Sequence, residues 1–174
     1  MSERLILLPG WGLGCAPLEP LAAALNGPQL QVTIEPLPVL ASCDPADWLE
    51  ELDARLPADC WLGGWSLGGM LATALAARRG ARCYGLLTLA SNVRFVATAD
   101  WPDAMPAETF TQFRHDCAVD ASATLKRFAL LCARGAEEAR GLSLQLLATA
   151  PAAVQESLLA GLDVLAALDT RAAL

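Results

Sequence analysis

The segment that most constrains the fold sets a serine between two glycines, Gly64-x-Ser66-x-Gly68, where an apolar run ends and a helix-forming run begins. This spacing is typical of a very tight strand-to-helix turn that exposes the serine hydroxyl. Side chains at the two flanking positions would collide in such a turn, so both are glycine. The amide of Leu67, at the start of the helix, can then face a developing oxyanion. The segment predicts a nucleophilic serine; the alternative is an ordinary serine in a glycine-rich turn.

A second glycine-rich loop, residues 7–14, follows the first apolar run. A serine hydrolase of this kind takes a second oxyanion donor from such a loop, and the amide of Trp11 is placed to supply it. The alternatives are a plain turn or a phosphate-binding loop. The spacing Gly10-x-Gly12-x-Gly14 differs from the Gly-x-Gly-x-x-Gly pattern of dinucleotide sites, so the oxyanion interpretation is favoured.

The first half of the chain alternates short apolar runs with helical stretches. It predicts strands at 4–8, 30–35, 60–63 and 84–90, with helices between them. Asp44 before Pro45 is a helix N-cap, and Gly80 ends the helix that follows Ser66. Alternation of this kind predicts an α/β fold with a mostly parallel sheet and helices on both faces.

The pattern changes after Ser91. A loop spans 91–106, and consecutive helices without a strand follow over 107–168. We predict helix breaks near four residues, Ala118, Gly135, Pro151 and Gly161, with Pro151 at a helix start. The chain is therefore predicted to have two units, an α/β core at 1–106 and a helical lid at 107–170.

Composition excludes several classes of function. The net charge of −7 argues against a nucleic-acid-binding protein, which needs a basic face. No apolar run is long enough to cross a membrane, and the N-terminus lacks the features of a secretion signal. The six cysteines form neither C-x-x-C pairs nor a Cys/His cluster, so we expect free thiols, no metal and no cofactor. Free thiols favour a cytoplasmic location.

With both loops placed, the chain resembles the pimeloyl-[acyl-carrier protein] methyl ester esterases of biotin biosynthesis, a family of α/β-hydrolases. The matching segments are LPGWGL at 8–13, WLGGWSLGG at 61–69, LTLAS at 87–91, Asp100-Trp101-Pro102, Arg127-Phe128 and Ala139-Arg140. They spread over nearly the whole chain. The resemblance implies a serine carboxylesterase that hydrolyses the methyl ester of a pimeloyl group on acyl carrier protein.

The resemblance also implies roles for individual residues. Ser66 is the nucleophile, and the amides of Trp11 and Leu67 form the oxyanion hole. The acyl pocket is lined by Leu13, Trp65 and Phe128. Arg127 and Arg140, on the lid, meet the acidic carrier protein or its phosphopantetheine. At two lid positions where the family has further arginines this chain has Ala123 and Leu144, which weakens the carrier-protein prediction.

The catalytic triad is incomplete in this pattern. In the α/β-hydrolase fold the triad runs Ser, Asp or Glu, then His along the chain. The single histidine here is His115, in the predicted lid. The family continues beyond the position of Leu174 with late strands that carry the triad Asp and His. We therefore expect these 174 residues to turn over little ester, and a dimer or a missing C-terminal segment to cover an exposed sheet edge.

Two alternatives to this function remain open at the level of sequence. One is another lidded hydrolase that acts on small esters or thioesters. The other is a non-catalytic binding protein built on part of a hydrolase fold.

Overall fold

The computed structural model describes residues 2–152 and 154–173. Its sheet has four parallel strands, β1 (Glu3–Leu8), β2 (Leu30–Ile34), β3 (Cys60–Trp65) and β4 (Cys83–Leu89), in the order β2-β1-β3-β4. The predicted parallel sheet is confirmed. Strand β3 is two residues longer than predicted, because Gly64 and Trp65 continue to pair with β4.

Three helices connect these strands: α1 (Glu19–Leu25), α2 (Pro45–Arg55) and α3 (Leu67–Arg79). The predicted N-cap of α2 is confirmed, since the Asp44 carboxylate accepts a hydrogen bond of 2.9 Å from the Ala46 amide. Helix α3 ends at Gly80, which has a φ of +57°. A positive φ is accessible to glycine without strain, and the predicted end of the helix at Gly80 is confirmed.

After β4 the chain runs through an irregular segment into four helices: α4 (Ala107–Val119), α5 (Ala121–Cys132), α6 (Ala139–Ala148) and α7 (Gln155–Ala167). The break predicted near Ala118 falls at Asp120, whose carboxylate caps α5 by accepting from the Ala123 amide at 2.9 Å. The break predicted at Gly135 lies between α5 and α6, where φ is +91°.

The break predicted near Pro151 is confirmed, because α6 ends at Ala148 and α7 begins at Gln155, but the predicted break at Gly161 and the predicted helix start at Pro151 are wrong. Helix α7 runs unbroken through Gly161. The glycine serves packing and does not end the helix, since a Cβ there would lie 3.0 Å from Cδ1 of Trp11. Pro151 precedes the first residue of α7 by four positions. It packs instead against Gly14, where an added Cβ would come within 2.6 Å of the proline Cδ.

The core lies on both faces of the sheet. On one face, side chains of β1 and β3 pack with α2, α3 and α7, around Leu8, Leu62, Met70 and Leu162. On the other, Leu5 and Leu7 pack beneath the α1 side of the sheet. Because α7 shares a core with the strands, the two predicted units are in close contact; their division at 106 stays a prediction. Within 2–152 and 154–173, no helix is both long and apolar enough to span a bilayer.

Candidate active site

Ser66 occupies a strained turn between β3 and α3. Its φ and ψ are +54° and −119°, a conformation that L-residues rarely adopt. The turn is closed by the Ser66 amide, which donates to the Leu89 carbonyl at 2.9 Å, and by the Ser91 hydroxyl, which donates to the Ser66 carbonyl at 2.9 Å. Strain held by hydrogen bonds on both sides is typical of a functional serine.

The two glycines of the motif are required by this turn. A Cβ on Gly64 would overlap the backbone of Gly68, and a Cβ on Gly68 would overlap the carbonyl of Leu8. Backbone cannot move aside as a flexible side chain can, so only glycine fits at either position. The collision expected from the sequence is therefore confirmed.

Two backbone amides lie at the same end of the sheet as Ser66. Leu67 is the first residue of α3, so its amide has no acceptor within the helix. Trp11 lies in the loop after β1, and β1 pairs directly with β3 in a register that sets Leu8 opposite Gly64. Among the described residues neither amide donates to another backbone carbonyl. Their role as an oxyanion hole remains a prediction that this geometry supports.

Ser66 opens into a cavity of about 200 Å³ between the sheet and the helices α4, α5 and α7. An aromatic cluster forms one wall: the Trp11 indole meets Phe113 and Phe128 edge to face, with ring centroids 5.5 Å and 5.3 Å apart. The lining residues are Trp11, Ser66, Phe95, Met105, Thr109, Phe110, Phe113, Phe128, Leu131, Leu162 and Leu165. Apart from the hydroxyls of Ser66 and Thr109, the side chains of the wall are apolar, since the Trp11 indole N–H is bonded to the Leu158 carbonyl.

The predicted acyl-pocket residues divide in their placement. Phe128 lines the cavity. Leu13 is fully buried and is not part of the wall. Trp65 packs on the opposite face of the sheet, where a Cβ on Gly10 would lie 2.8 Å from its Cε3. The structure therefore does not bring Leu13 and Trp65 to this cavity, and their substrate-binding role stays a prediction.

Several residues of the wall were not predicted from the sequence. Phe110 and Phe113 are three positions apart on α4. Phe110 is buried, and so is Cys117, about two helical turns further along. This spacing at one helix face could have identified them. Leu162 and Leu165 repeat the same spacing on α7. Phe95 and Met105 lie in irregular chain, where no periodicity exists to reveal them.

No histidine or carboxylate lines the cavity within the described ranges. His115 lies on the exposed face of α4. Asp163 pairs with Arg114, whose Nη2 donates to its Oδ2 at 2.7 Å, and this bond raises the pKa of Arg114. Asp169 is likewise engaged by arginines. Neither Asp163 nor Asp169 lines the Ser66 cavity.

The two predicted carrier-binding arginines lie on the outer surface of the helical part. Arg127 is exposed and pairs with Asp116 at 2.8 Å. Arg140 is exposed near the start of α6. Neither lines the Ser66 cavity. In the part of the chain that the structure describes, no cluster of three potential metal ligands occurs.

The segment 91–106 carries Phe95 and Met105 of the cavity wall. Ion pairs hold this segment against the chain that follows α7. Arg171 bonds Asp169 at 2.6 Å and Asp100 at 2.9 Å, and it stacks over Trp101 at 5.6 Å. Arg94 also donates to Asp169, at 2.6 Å. These contacts hold two points of the segment, so they help to set the position of the wall.

Low pH should weaken the ion pairs that Arg94 and Arg171 form with Asp169. The hydrogen bond from Arg171 holds the pKa of Asp169 below its ordinary value, so the carboxylate stabilises the fold above the unfolded-state pKa of about 4 and loses this effect as pH falls further. We expect D169N to lower Tm by about 2 °C at pH 7, with the difference shrinking below pH 4. Thermal melts at several pH values measure this. The control is D103N at an exposed position; an equal, pH-independent loss in both variants would contradict it.

The fold and the turn together define a class. A parallel sheet covered on both faces, with a serine at the tight turn after β3, is an α/β-hydrolase. An esterase from Exiguobacterium antarcticum, EaEST, superposes with a TM-score of 0.81 at 16% identity, over 99% of this chain and 69% of that one. The enol-lactonase from Burkholderia xenovorans LB400 superposes with a TM-score of 0.74 at 17% identity, over 99% of this chain and 68% of that one. At such identities the likeness concerns the fold alone.

Curated relatives are more specific. The pimeloyl-[acyl-carrier protein] methyl ester esterase of Aeromonas hydrophila is 37% identical over 178 residues, which cover 96% of this chain and 69% of the relative. The Serratia marcescens esterase of the same name is 34% identical, over 99% and 71%. The biotin biosynthesis bifunctional protein BioHC of Cellvibrio japonicus is 36% identical, over 98% of this chain and 35% of its own length. No protein-family model matches. The chain belongs to the pimeloyl-[acyl-carrier protein] methyl ester esterase family.

Proposed function

We propose that this protein is a serine carboxylesterase that hydrolyses the methyl ester of a pimeloyl group carried on acyl carrier protein, in biotin biosynthesis. The observation that carries the proposal is the Ser66 turn opening into an apolar cavity, in a chain 37% identical to an esterase of that name. Six free thiols support a reduced, cytoplasmic setting as part of the proposal.

The chemistry follows from the positions of the groups. The Ser66 oxygen attacks the ester carbonyl, and the negative charge that develops on the carbonyl oxygen is stabilised by the amides of Trp11 and Leu67. Methanol leaves, and water then hydrolyses the acyl-serine. Serine needs a base for the first step, and the described wall of the cavity offers none. A base for this step therefore has to come from outside the described wall of the cavity.

The cavity supports an alkyl substrate, and the surface supports an acidic partner. A pimeloyl chain is a run of methylenes, which an aromatic and aliphatic wall desolvates favourably. Residues 111–140 carry five basic and four acidic side chains, whereas the rest of the chain carries a charge of −8. A relatively basic surface beside the cavity, on an otherwise acidic protein, can steer an acidic carrier to it.

Comparison of two substrates tests the carrier. We expect R127A and R140A each to raise KM for the carrier-bound pimeloyl methyl ester about two- to fivefold, because each removes one rim charge, and to leave dimethyl pimelate unaffected. At high salt, the KM of each variant for the carrier-bound ester should approach the KM of the native protein. R82A, at an exposed position outside the helical part, is the matched control.

Two outcomes would contradict the proposal. Equal effects on both substrates would remove the role of the two arginines. Hydrolysis of small esters without preference for the carrier-bound ester would favour the other lidded hydrolase instead.

A further inference from the structure

A second cavity of about 200 Å³, called the rear cavity, is lined by Trp11 but not by Ser66, whereas both line the Ser66 cavity, called the front cavity. Its wall is formed by the loop after β1, the segment after β2 and the chain at the start of α7; among the described residues it contains no charged side chain. Its wall is mostly apolar and includes Leu37, Pro38 and Pro151. Two further wall residues, Val39 and Val154, are exposed to solvent. It opens at the surface beside α7.

Trp11 is the one described residue that lines both cavities. Its indole, called the partition, contacts residues of both walls: Phe113 and Phe128 of the front cavity, and Leu158 and Gly161 of the rear cavity. On one side the ring touches Phe113 and Phe128; on the other, Gly161 leaves the space in which the ring sits, since a Cβ there would lie 3.0 Å from Cδ1. A single hydrogen bond of 2.8 Å, from Nε1 to the Leu158 carbonyl, fixes the ring in this position.

The volumes argue that the partition moves. Sites for small molecules usually measure about 300–1,000 Å³, so a front cavity of about 200 Å³ holds only a short acyl chain, whereas the two cavities joined fall within this range. We propose that Trp11 is a movable wall that sets acyl-chain length: with the ester carbonyl at Ser66, a chain longer than the front cavity displaces the indole and continues into the rear cavity. This deepens the proposed function and rests on it for the acyl nature of the occupant.

The cost of opening gives the expected dependence on chain length. Displacing the indole loses one hydrogen bond and two edge-to-face aromatic contacts, together about 100-fold in affinity. Each methylene buried gains about fourfold. Three to four further methylenes are therefore needed before a longer chain is bound more tightly, and affinity should rise, level off over that interval and rise again.

Ethyl n-alkyl ketones test this, because a methylene replaces the ester oxygen of the methyl ester and the scissile bond is absent. Calorimetric titration of the series should give the rise, plateau and second rise. In ¹⁵N spectra the indole signal missing from W11F should shift further on binding of long ketones than on binding of short ones, which contact the ring without displacing it. W11F, which loses the hydrogen bond and keeps an aromatic ring, should shorten the plateau by about one methylene.

S157F supplies the matched control, since Ser157 lines the rear cavity and is absent from the front one. It should abolish the second rise and leave short ketones unaffected. A native curve that never rises again, an unmoved indole signal, or identical curves for S157F and the native protein would overturn the inference. Ketone binding requires no hydrolysis, so failure of the ester assay would leave this result standing.

Discussion

Replacing Ser66 with alanine is expected to lower kcat for hydrolysis of the carrier-bound pimeloyl methyl ester by about 10⁴- to 10⁶-fold. The reason is that the strained turn presents this hydroxyl to the cavity, and alanine has no atom that can form the acyl intermediate. The measurement is steady-state turnover of the protein expressed from its complete reading frame, together with mass-spectrometric mapping of a fluorophosphonate adduct.

S122A is the matched control, because Ser122 is exposed on α5 and remote from the turn. It should keep native turnover. An adduct on any residue other than Ser66, or substantial turnover in S66A, would exclude the proposed nucleophile. The 174 residues alone should show little turnover, since no base lines the described cavity; typical esterase rates from them would require His115 to be reconsidered.

The largest expected effect on stability is at Arg79, at the end of α3. Its side chain is 1% exposed, and its Nε bonds the Asp53 carboxylate at 2.7 Å, which holds the pKa of that carboxyl below its ordinary value. It also donates to the carbonyls of Pro57 at 2.8 Å and Leu56 at 3.0 Å. R79A leaves the carbonyls of Pro57 and Leu56 without this donor, whereas Asp53 stays partly exposed and near Arg78, so we expect the free energy of unfolding to fall by about 2–4 kcal/mol.

Arg78 provides a close control. It precedes Arg79 on the same helix and faces the same Asp53, at 3.8 Å, with a side chain 48% exposed. A solvated pair of this kind contributes little, so R78A should change the free energy of unfolding by less than about 0.5 kcal/mol. Urea denaturation measures both variants. Similar losses in the two would show that burial of Arg79 does not matter.

Much of the first half of the fold could be predicted from local signals. The four apolar runs, the Asp44 cap and the Gly80 stop each act within a few residues, so the strands and helices lie close to the predicted bounds. Gly161 shows where this reasoning fails. The same residue type that ends a helix at Gly80 continues one at Gly161, because there it makes room for an indole 150 positions earlier in the chain.

For the site, the order of residues was sufficient to locate the tight turn at Ser66 and the loop at Trp11, since both follow adjacent strands; the catalytic roles of Ser66 and of the Trp11 and Leu67 amides stay predictions. It was insufficient for the wall of the cavity. Phe95 and Met105 reach the wall through a segment fastened by Arg171, and Trp65, adjacent in sequence to Ser66, lies on the opposite face of the sheet. Alternation along a strand sends neighbours to opposite faces.

The sequence by itself determined the tight turn at Ser66, the α/β class and the family, because these depend on short-range geometry: a glycine pair around a strained serine and alternating strands and helices. Tertiary structure alone decided what surrounds that serine. Trp11 became a partition between two cavities only because α7 brings the Leu158 carbonyl and Gly161 against it. Contacts between distant segments have no local signature, so packing, and not pattern, sets the size and shape of the site.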